Sequence, residues 1–141
     1  MVSSNLYIFL FFFSSLILYY IYSQIIVKRS MASISSTEYS ACLTTVSNDE
    51  EARKLSRSIV ESHLAACVNI IPNIRSVYEW KSTIHEDNEL ILLIKTKKDL
   101  VPKLIEFVKK NHSYEVPELI ELPIQNGNPD YLKWIDGIVK Q

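Results

Sequence analysis

The side chains best suited to chemistry lie in one short stretch of the sequence, between positions 112 and 118. His112 supplies an imidazole, Tyr114 a phenol, and Glu115 and Glu118 supply carboxylates. The stretch joins a predicted helix to a predicted strand, and loops held by such a scaffold often carry function. A structural interpretation stays open, because the same polar groups can satisfy the exposed backbone of a rigid turn.

Two cysteines add thiols to this set. Cys42 lies in the first predicted strand and Cys67 at the start of the second. Thiolate, imidazole and carboxylate together suit copper or zinc, so we predict a metal site with Glu118 and His112 as ligands and Cys42 and Cys67 as further candidates. The structural alternatives are that Cys67 packs in the interior and that His112 closes the preceding helix. Two thiols without close spacing form no disulfide framework and favour a reducing compartment.

Secondary-structure signals place these residues in a chain of alternating strands and helices. Apolar runs predict strands at Tyr39–Val46, Cys67–Ile71, Leu90–Ile94 and Val116–Ile124. Capping residues and helical spacing predict one helix after Ser47 or Asn48, one after Asp99 and a short one from Pro129. The resulting order is β-α-β-β-α-β followed by a helix. It predicts an α+β fold, the ferredoxin-like sandwich, in which two helices cover one face of an antiparallel sheet.

The segment between the second and third strands is less regular. Pro72 ends or bends the second strand, and residues alternate in character from Arg75 to Ile84, as they do in a strand with two different faces. The cluster Glu86–Asn88 predicts the turn that follows.

The predicted domain holds more apolar surface than two helices can cover. Its aromatic side chains are concentrated on long strands and terminal elements: Tyr78, Trp80, Tyr114, Tyr131 and Trp134. Large exposed apolar patches mark association between chains, so we expect a homo-oligomer.

The first 37 residues differ in composition from a predicted domain at 38–141. Residues 6–27 are almost wholly apolar, enough for the ~20 residues that span a bilayer, and Lys28 and Arg29 follow. By the positive-inside rule this flank, and with it the domain, stays in the cytosol, which predicts a membrane-associated protein. Two alternatives stay open. A cleaved signal peptide would send the domain into the secretory pathway, and initiation at Met31 would give a plain cytosolic protein.

The predicted domain is mildly acidic. From Glu38 onward it carries 13 of the 15 Lys+Arg and all 16 Asp+Glu of the chain, without a basic run. Such a surface is not suited to a nucleic-acid backbone, so we expect no nucleic-acid partner.

Five segments resemble, in order, the CutA family of divalent-cation-tolerance proteins. They are Leu64–Pro72, Ser76–Lys81, Glu89–Thr96, His112–Glu118 and Tyr131–Trp134. The resemblance implies a tight trimer of ferredoxin-like subunits, similar in architecture to the PII signalling proteins. It also implies a part in metal tolerance with copper binding, no organic cofactor and no catalytic activity. Animal relatives with hydrophobic N-termini are linked to membrane anchoring of acetylcholinesterase, so a protein partner is admissible too.

Three positions depart from the family pattern. Ser113 stands where the family's His-Pro-Tyr motif has proline. The copper ligands of a bacterial member are a cysteine, a histidine and a glutamate at the positions of Thr44, Asn111 and Glu118, so this chain keeps the glutamate alone. Cys42 and His112 lie close by in the sequence and are the nearest substitutes.

Other functions of this fold class fit less well. An acylphosphatase cradles phosphate with glycines and an arginine after its first strand, and Thr44–Asn48 has neither. An RNA-recognition module needs stacking aromatic residues on its central strands, and Leu90–Ile94 has none. The alternative that stays open is a PII-like trimeric sensor that binds a small metabolite or a partner protein at clefts between subunits.

Overall fold

The structure is a computed structural model of the 141-residue chain. It describes residues 38–139 together with Ile17, Tyr20 and Tyr22. The chain divides into two units, and every element named below belongs to the second, Thr37–Gln141. In the described residues no helix is long and apolar enough to cross a membrane. The apolar segment predicted at 6–27 lies outside the described residues, apart from those three positions.

Within residues 38–139, strands and helices alternate as the sequence predicts. They are β1 Tyr39–Val46, α1 Asp49–Glu61, β2 Cys67–Trp80, β3 Thr83–Lys97, a 3-10 turn Lys98–Leu100, α2 Val101–Asn111, β4 Ile120–Pro123 and α3 Pro129–Ile138. The strands form one antiparallel sheet in the order β2-β3-β1-β4. This confirms the predicted α+β fold and its ferredoxin-like strand order.

The two faces of the sheet have different environments. On β1 the residues from Tyr39 to Val46 alternate between partly exposed and buried, as a strand with one covered face should. Helices α1 and α2 cover the buried face. The core between them contains Cys42, Val46, Ala52, Leu55, Ile59, Leu92, Ile94, Leu104 and Val108. We call the opposite side of the sheet the open face.

Helix α3 packs against one end of the open face. Its Ile135 is fully buried in a second, smaller core with Ala66 and Leu100. Its Asp136 accepts a 2.6 Å hydrogen bond from the Tyr39 hydroxyl and forms a 3.0 Å ion pair with Lys97. These contacts fix α3 where β1 begins and β3 ends. Of the helices within residues 38–139, α1 and α2 lie on the opposite face of the sheet.

Local sequence explains where two of the helices begin. The Asn48 side chain accepts a 2.9 Å hydrogen bond from the Glu51 N–H and caps α1, whose acidic first turn suits the helix dipole. The Asn128 side chain caps α3 by accepting a 3.0 Å bond from the Asp130 N–H. Pro129 follows in the first turn, where its missing N–H costs little.

The turn between β2 and β3 is not where the sequence predicted it. The cluster Glu86–Asn88 lies inside β3, and the turn is formed by Lys81 and Ser82, with φ angles of 49° and 62°. Positive φ at both central residues is the geometry that matches the twist of paired strands. The acidic cluster stays extended because cross-strand contacts hold it. In one of these contacts, Tyr78 donates a 2.8 Å hydrogen bond to Asp87.

Pro72 bends the second strand without ending it. The pairing of β2 with β3 is irregular between Ile71 and Ile74, and Asn73 there has a φ of 62°. A bulge of this kind accommodates a proline, which has no N–H for the ladder. Beyond the bulge the two strands continue as a hairpin, Arg75–Asn88, past the point where β3 pairs with β1. We call this hairpin the arm.

Two further boundaries differ from the prediction. The last strand is shorter than the predicted Val116–Ile124, and β4 contains only Ile120–Pro123, because the residues around Pro117 remain in the loop. Asp99 does not cap the second helix. It lies inside the 3-10 turn, and α2 begins at Val101 without a side-chain cap.

Candidate functional site

His112 attaches the loop between α2 and β4 to the sheet. Its side chain is 0% exposed. The Nδ1 atom accepts a 3.0 Å hydrogen bond from the Tyr114 N–H, so the ring proton sits on Nε2, which donates to the Thr45 carbonyl at 2.7 Å. Both ring nitrogens are therefore used within the chain, directly after the last turn of α2.

A carboxylate from α1 holds the same loop. The Ser113 N–H donates a 3.0 Å hydrogen bond to Oε1 of Glu51, whose side chain is 14% exposed. Burial raises the pKa of Glu51, but the hydrogen bonds from Ser113 and Ser47 outweigh that effect and hold the pKa below its usual value. Proline has no N–H to donate, so the serine at this position makes the backbone contact available.

Tyr114 ties the loop to β3. Its hydroxyl donates a 2.6 Å hydrogen bond to Oε1 of Glu89, and its ring centroid lies 4.8 Å from that of His112. Burial, followed by the bond to Glu89, raises the pKa of Tyr114 far above its usual value. The phenol therefore keeps its proton and remains a donor. Glu89 is itself buried, with 6% exposure.

These contacts frame a cavity of about 480 Å³ between the loop and the arm. Its aromatic and charged lining side chains are Tyr78, Trp80, Glu89, Tyr114, Glu115 and Glu118. Glu115 forms a 3.4 Å ion pair with Lys81. Glu118 is exposed and makes no hydrogen bond or ion pair within the part of the chain that the structure describes. A cavity of this volume with convergent polar groups has the dimensions of a small-molecule site.

Cys42 lies in the interior of the domain. It is fully buried in the core beneath α1 and α2. Burial, with a smaller effect from Glu121, raises the pKa of its thiol to about 12. Metals bind the thiolate form, and this thiol keeps its proton at neutral pH.

Cys67 lies on the open face near α3. It is paired across the strands with Lys95, whose ammonium is 3.5 Å from the sulfur. Tyr131 of α3 is also beside it. Burial raises the pKa of the Tyr131 phenol, and the neighbouring Cys67 raises it further. The Asn69 side-chain amide donates to the same sulfur at 3.8 Å. The neighbours of Cys67 are thus an amine, an amide and a phenol, and none of them is a carboxylate or an imidazole.

The four predicted ligands are not brought together within one chain. Cys42 points towards the helices, Cys67 lies beside α3, His112 is used by the backbone, and Glu118 lines the cavity. Among the described residues, no three His, Cys, Asp or Glu side chains are grouped so that they could hold a metal ion. A single chain therefore offers the accessible Glu118 carboxylate without a complete coordination shell.

The sequence offered little indication that two residues of this region, Glu51 and Glu89, contribute to the site. Glu51 belongs to an acidic first turn, which assigns it to the helix dipole, and Glu89 precedes an apolar run. Their roles depend on partners that are distant in the sequence, since Glu51 and Ser113 are 62 residues apart and Glu89 and Tyr114 are 25 apart. No local pattern reports such contacts.

Comparison with known proteins gives consistent matches. The family model described as CutA1 divalent ion tolerance protein matches residues 40–137. Protein CutA of Mus musculus is 50% identical over 101 residues, which are 72% of this chain and 57% of the relative. The divalent-cation tolerance protein CutA of Thermus thermophilus is 50% identical over 93 residues, which are 66% of this chain and 90% of that protein.

The fold is shared with solved structures as well. The crystal structure of CutA1 from Oryza sativa aligns with a TM-score of 0.71 at 45% identity, covering 76% of this chain and 99% of that chain. This chain spans 57% of the length of the mouse relative that it matches, so the matched region is the part the two proteins share. With residues 40–137 matched by the family model and the fold held in common, the chain belongs to the CutA1 divalent ion tolerance family.

Proposed function

We propose that this protein is a homotrimer that binds a divalent cation, copper above all, and serves in divalent-cation tolerance. The description of the family and the name of the Thermus thermophilus relative both refer to divalent cations. The observation that carries the proposal is the position of Glu118. It is an accessible carboxylate without a partner in the described chain, at a cavity beside the open face of the sheet.

The part of the open face away from α3 supports assembly. Ile71, Ile120 and Leu122 are 41%, 48% and 47% exposed in the single chain. Across the strands, Ile71 pairs with Ile91 and Ile120 with Leu43, so the apolar surface continues over the sheet. Patches of this kind mark association. The resemblance to the family makes two further copies of this chain the occupants.

Glu118 lies two residues before β4 and lines the cavity. One carboxylate is a poor site for copper by itself, because copper favours sites that also supply imidazole or thiolate ligands. We therefore propose that a neighbouring chain completes the coordination shell. Of the other predicted ligands, Cys42 is protonated in the core and His112 has no ring nitrogen to spare.

Calorimetric titration with copper tests this proposal. We expect Glu118→Gln to weaken copper binding by at least about tenfold, which corresponds to about 1.4 kcal/mol. The control is Glu79→Gln, which removes the same charge from an exposed position of the arm outside the cavity. Equal binding by all three proteins would place the metal elsewhere. Absence of binding would favour the sensor of a small metabolite or partner protein.

We further propose that residues 6–27 attach the protein to a membrane with the domain in the cytosol. The support is the length of the apolar segment and the positive charge of Lys28 and Arg29 after it. Alkaline carbonate extraction should leave the protein with the membranes, and protease added outside sealed microsomes should degrade the domain. Release by carbonate would contradict the anchor. The tripeptide Asn111-His112-Ser113 is a glycosylation acceptor, so glycosylation of Asn111 would place the domain in the secretory pathway.

A further inference from the structure

The cavity between the loop and the arm has walls of two kinds. Three aromatic side chains, Tyr78, Trp80 and Tyr114, line it together with three carboxylates. Its remaining lining residues are neutral, and no lysine or arginine is among them. The negative faces of aromatic rings attract cations, and carboxylates add full negative charges. Both parts of the wall therefore favour a ligand with positive charge and an apolar body.

Glu89 gives the cavity an uncompensated buried charge. It is 6% exposed and accepts the hydroxyl hydrogen of Tyr114. No lysine, arginine or histidine in the described part of the chain forms an ion pair with it. Burying a carboxylate without a counter-charge is costly, and a neutral phenol compensates only part of that cost. A cation inside the cavity would compensate the remainder.

The rim of the cavity already holds an ammonium group in such surroundings. The Lys81 Nζ lies 5.4 Å from the centroid of the Trp80 ring and 3.4 Å from a carboxylate oxygen of Glu115. These side chains are well exposed, since Lys81 and Glu115 are 72% and 71% exposed. The aromatic face and the carboxylate of this wall are thus spaced so that one alkylammonium group contacts both.

We propose that the cavity is a binding site for a small organic cation, an alkylated or quaternary amine. The cation lies against the rings of Tyr78 and Trp80 with its charge towards Glu89. A bare divalent metal ion gains little from aromatic walls, and the described side chains do not group into a metal site. This site is formed within one chain, so it requires neither the trimer nor the copper site proposed above.

Ligand-observed NMR on the full-length protein in a non-ionic detergent tests the site. The probes are tetramethylammonium and neopentyl alcohol, which have similar apolar bodies but differ in charge. We expect saturation transfer to the methyl groups of tetramethylammonium, with binding at least about tenfold tighter than that of the alcohol. Equal binding of the two probes, or no binding of tetramethylammonium, would overturn the proposal.

Variants locate the binding and separate it from folding. Glu89→Gln and Trp80→Leu should each weaken tetramethylammonium binding several-fold. Glu79→Gln and Trp134→Leu, which change the same residue types outside the cavity, should leave it unchanged. If Glu89→Gln loses the native circular dichroism spectrum, Trp80→Leu against Trp134→Leu decides the question. Equal effects of the two tryptophan variants would contradict the site.

Two outcomes distinguish this site from the other proposals. Copper binding that depends on Glu118 can fail while tetramethylammonium binding persists, because the organic cation depends on Glu89 and Trp80. If tetramethylammonium binds only when the protein is diluted into monomers, a neighbouring chain fills the cavity and the inference is wrong. Affinity that is independent of protein concentration supports it.

Discussion

The Nε2–H of His112 donates a 2.7 Å hydrogen bond to the backbone carbonyl of Thr45, so the end of the first strand and the loop after α2 are joined through a buried ring. Nδ1 of the same ring accepts the Tyr114 N–H. The contact holds Thr45 beside Ser113 and Tyr114, which line the cavity together with it.

Replacement of His112 by alanine should destabilise the domain. It removes a buried side chain and leaves the Thr45 carbonyl and the Tyr114 N–H without partners, and each lost partner costs about 1–3 kcal/mol. We expect a loss of at least about 2 kcal/mol in urea denaturation at fixed protein concentration. His85→Ala, on the arm, serves as the control and should change stability much less. A stability for His112→Ala like that of the control would show that the ring does not support the loop.

The Glu51 carboxylate should contribute a stability that depends on pH. Its pKa in the folded protein is lowered by the Ser113 and Ser47 hydrogen bonds against the opposing effect of burial. A lowered folded-state pKa gives stability that is present above the unfolded pKa and is lost as the pH falls through the folded one. Glu51→Gln should therefore flatten the dependence of stability on pH in the acidic range.

Two substitutions of Ser113 can separate the parts of this contact. Ser113→Ala removes the hydroxyl and keeps the N–H, whereas Ser113→Pro removes both donors. We expect carboxyl NMR titration to give the lowest pKa of Glu51 in the wild type, an intermediate one in Ser113→Ala and the highest in Ser113→Pro. An unchanged pKa in Ser113→Pro would mean that the loop does not hold this carboxylate.

Cys42 should be inert in the folded protein. Its thiol is fully buried, and burial raises its pKa to about 12, so almost no thiolate is available to react near neutral pH. Alkylation followed by mass spectrometry should modify Cys42 only after denaturant is added. Cys42→Ala should also leave copper affinity unchanged. Rapid alkylation of Cys42 without denaturant would contradict its position in the core.

A charge placed on the open face should dissociate the assembly. Ile71 is 41% exposed in the single chain, so Ile71→Asp costs the monomer little but would bury a carboxylate against a neighbouring copy. Sedimentation should give a lower mass for Ile71→Asp. Lys103→Glu, on the exposed side of α2, changes the net charge by more and should leave the mass unaltered. The same mass for all three proteins would exclude this face as the interface.

The sequence predicted the fold well where apolar periodicity is strong. The limits of β1 agree at Tyr39 and Val46. Asn48, one of the two residues predicted to cap the first helix, caps it through a side chain that bonds its own neighbour. The hairpin turn was missed because Lys81 and Ser82 are not the residues that usually take positive φ. The position of this turn is set by the pairing of β2 with β3 along the arm, which continues to Trp80 and Thr83.

The candidate site was only partly predictable for a related reason. The residue types of the loop from His112 to Glu118 predicted a functional role for it, and five of its residues line the cavity. The partners that define its chemistry, Glu51, Glu89 and Thr45, lie on three other elements. A strand pattern shows on which face of the sheet a cysteine lies, but not how the neighbouring loops fold. The sequence therefore could not show whether Cys42 lies near the other predicted ligands.

Native mass spectrometry of the full-length protein, released from detergent with and without copper, tests the central proposal most directly because it reports subunit number and bound metal together. We predict ions of three chains in both conditions, with added copper that is lost in Glu118→Gln while the three chains remain together. Single chains at micromolar concentration would contradict the proposed trimer, and copper bound equally by the wild type and Glu118→Gln would contradict the proposed copper site.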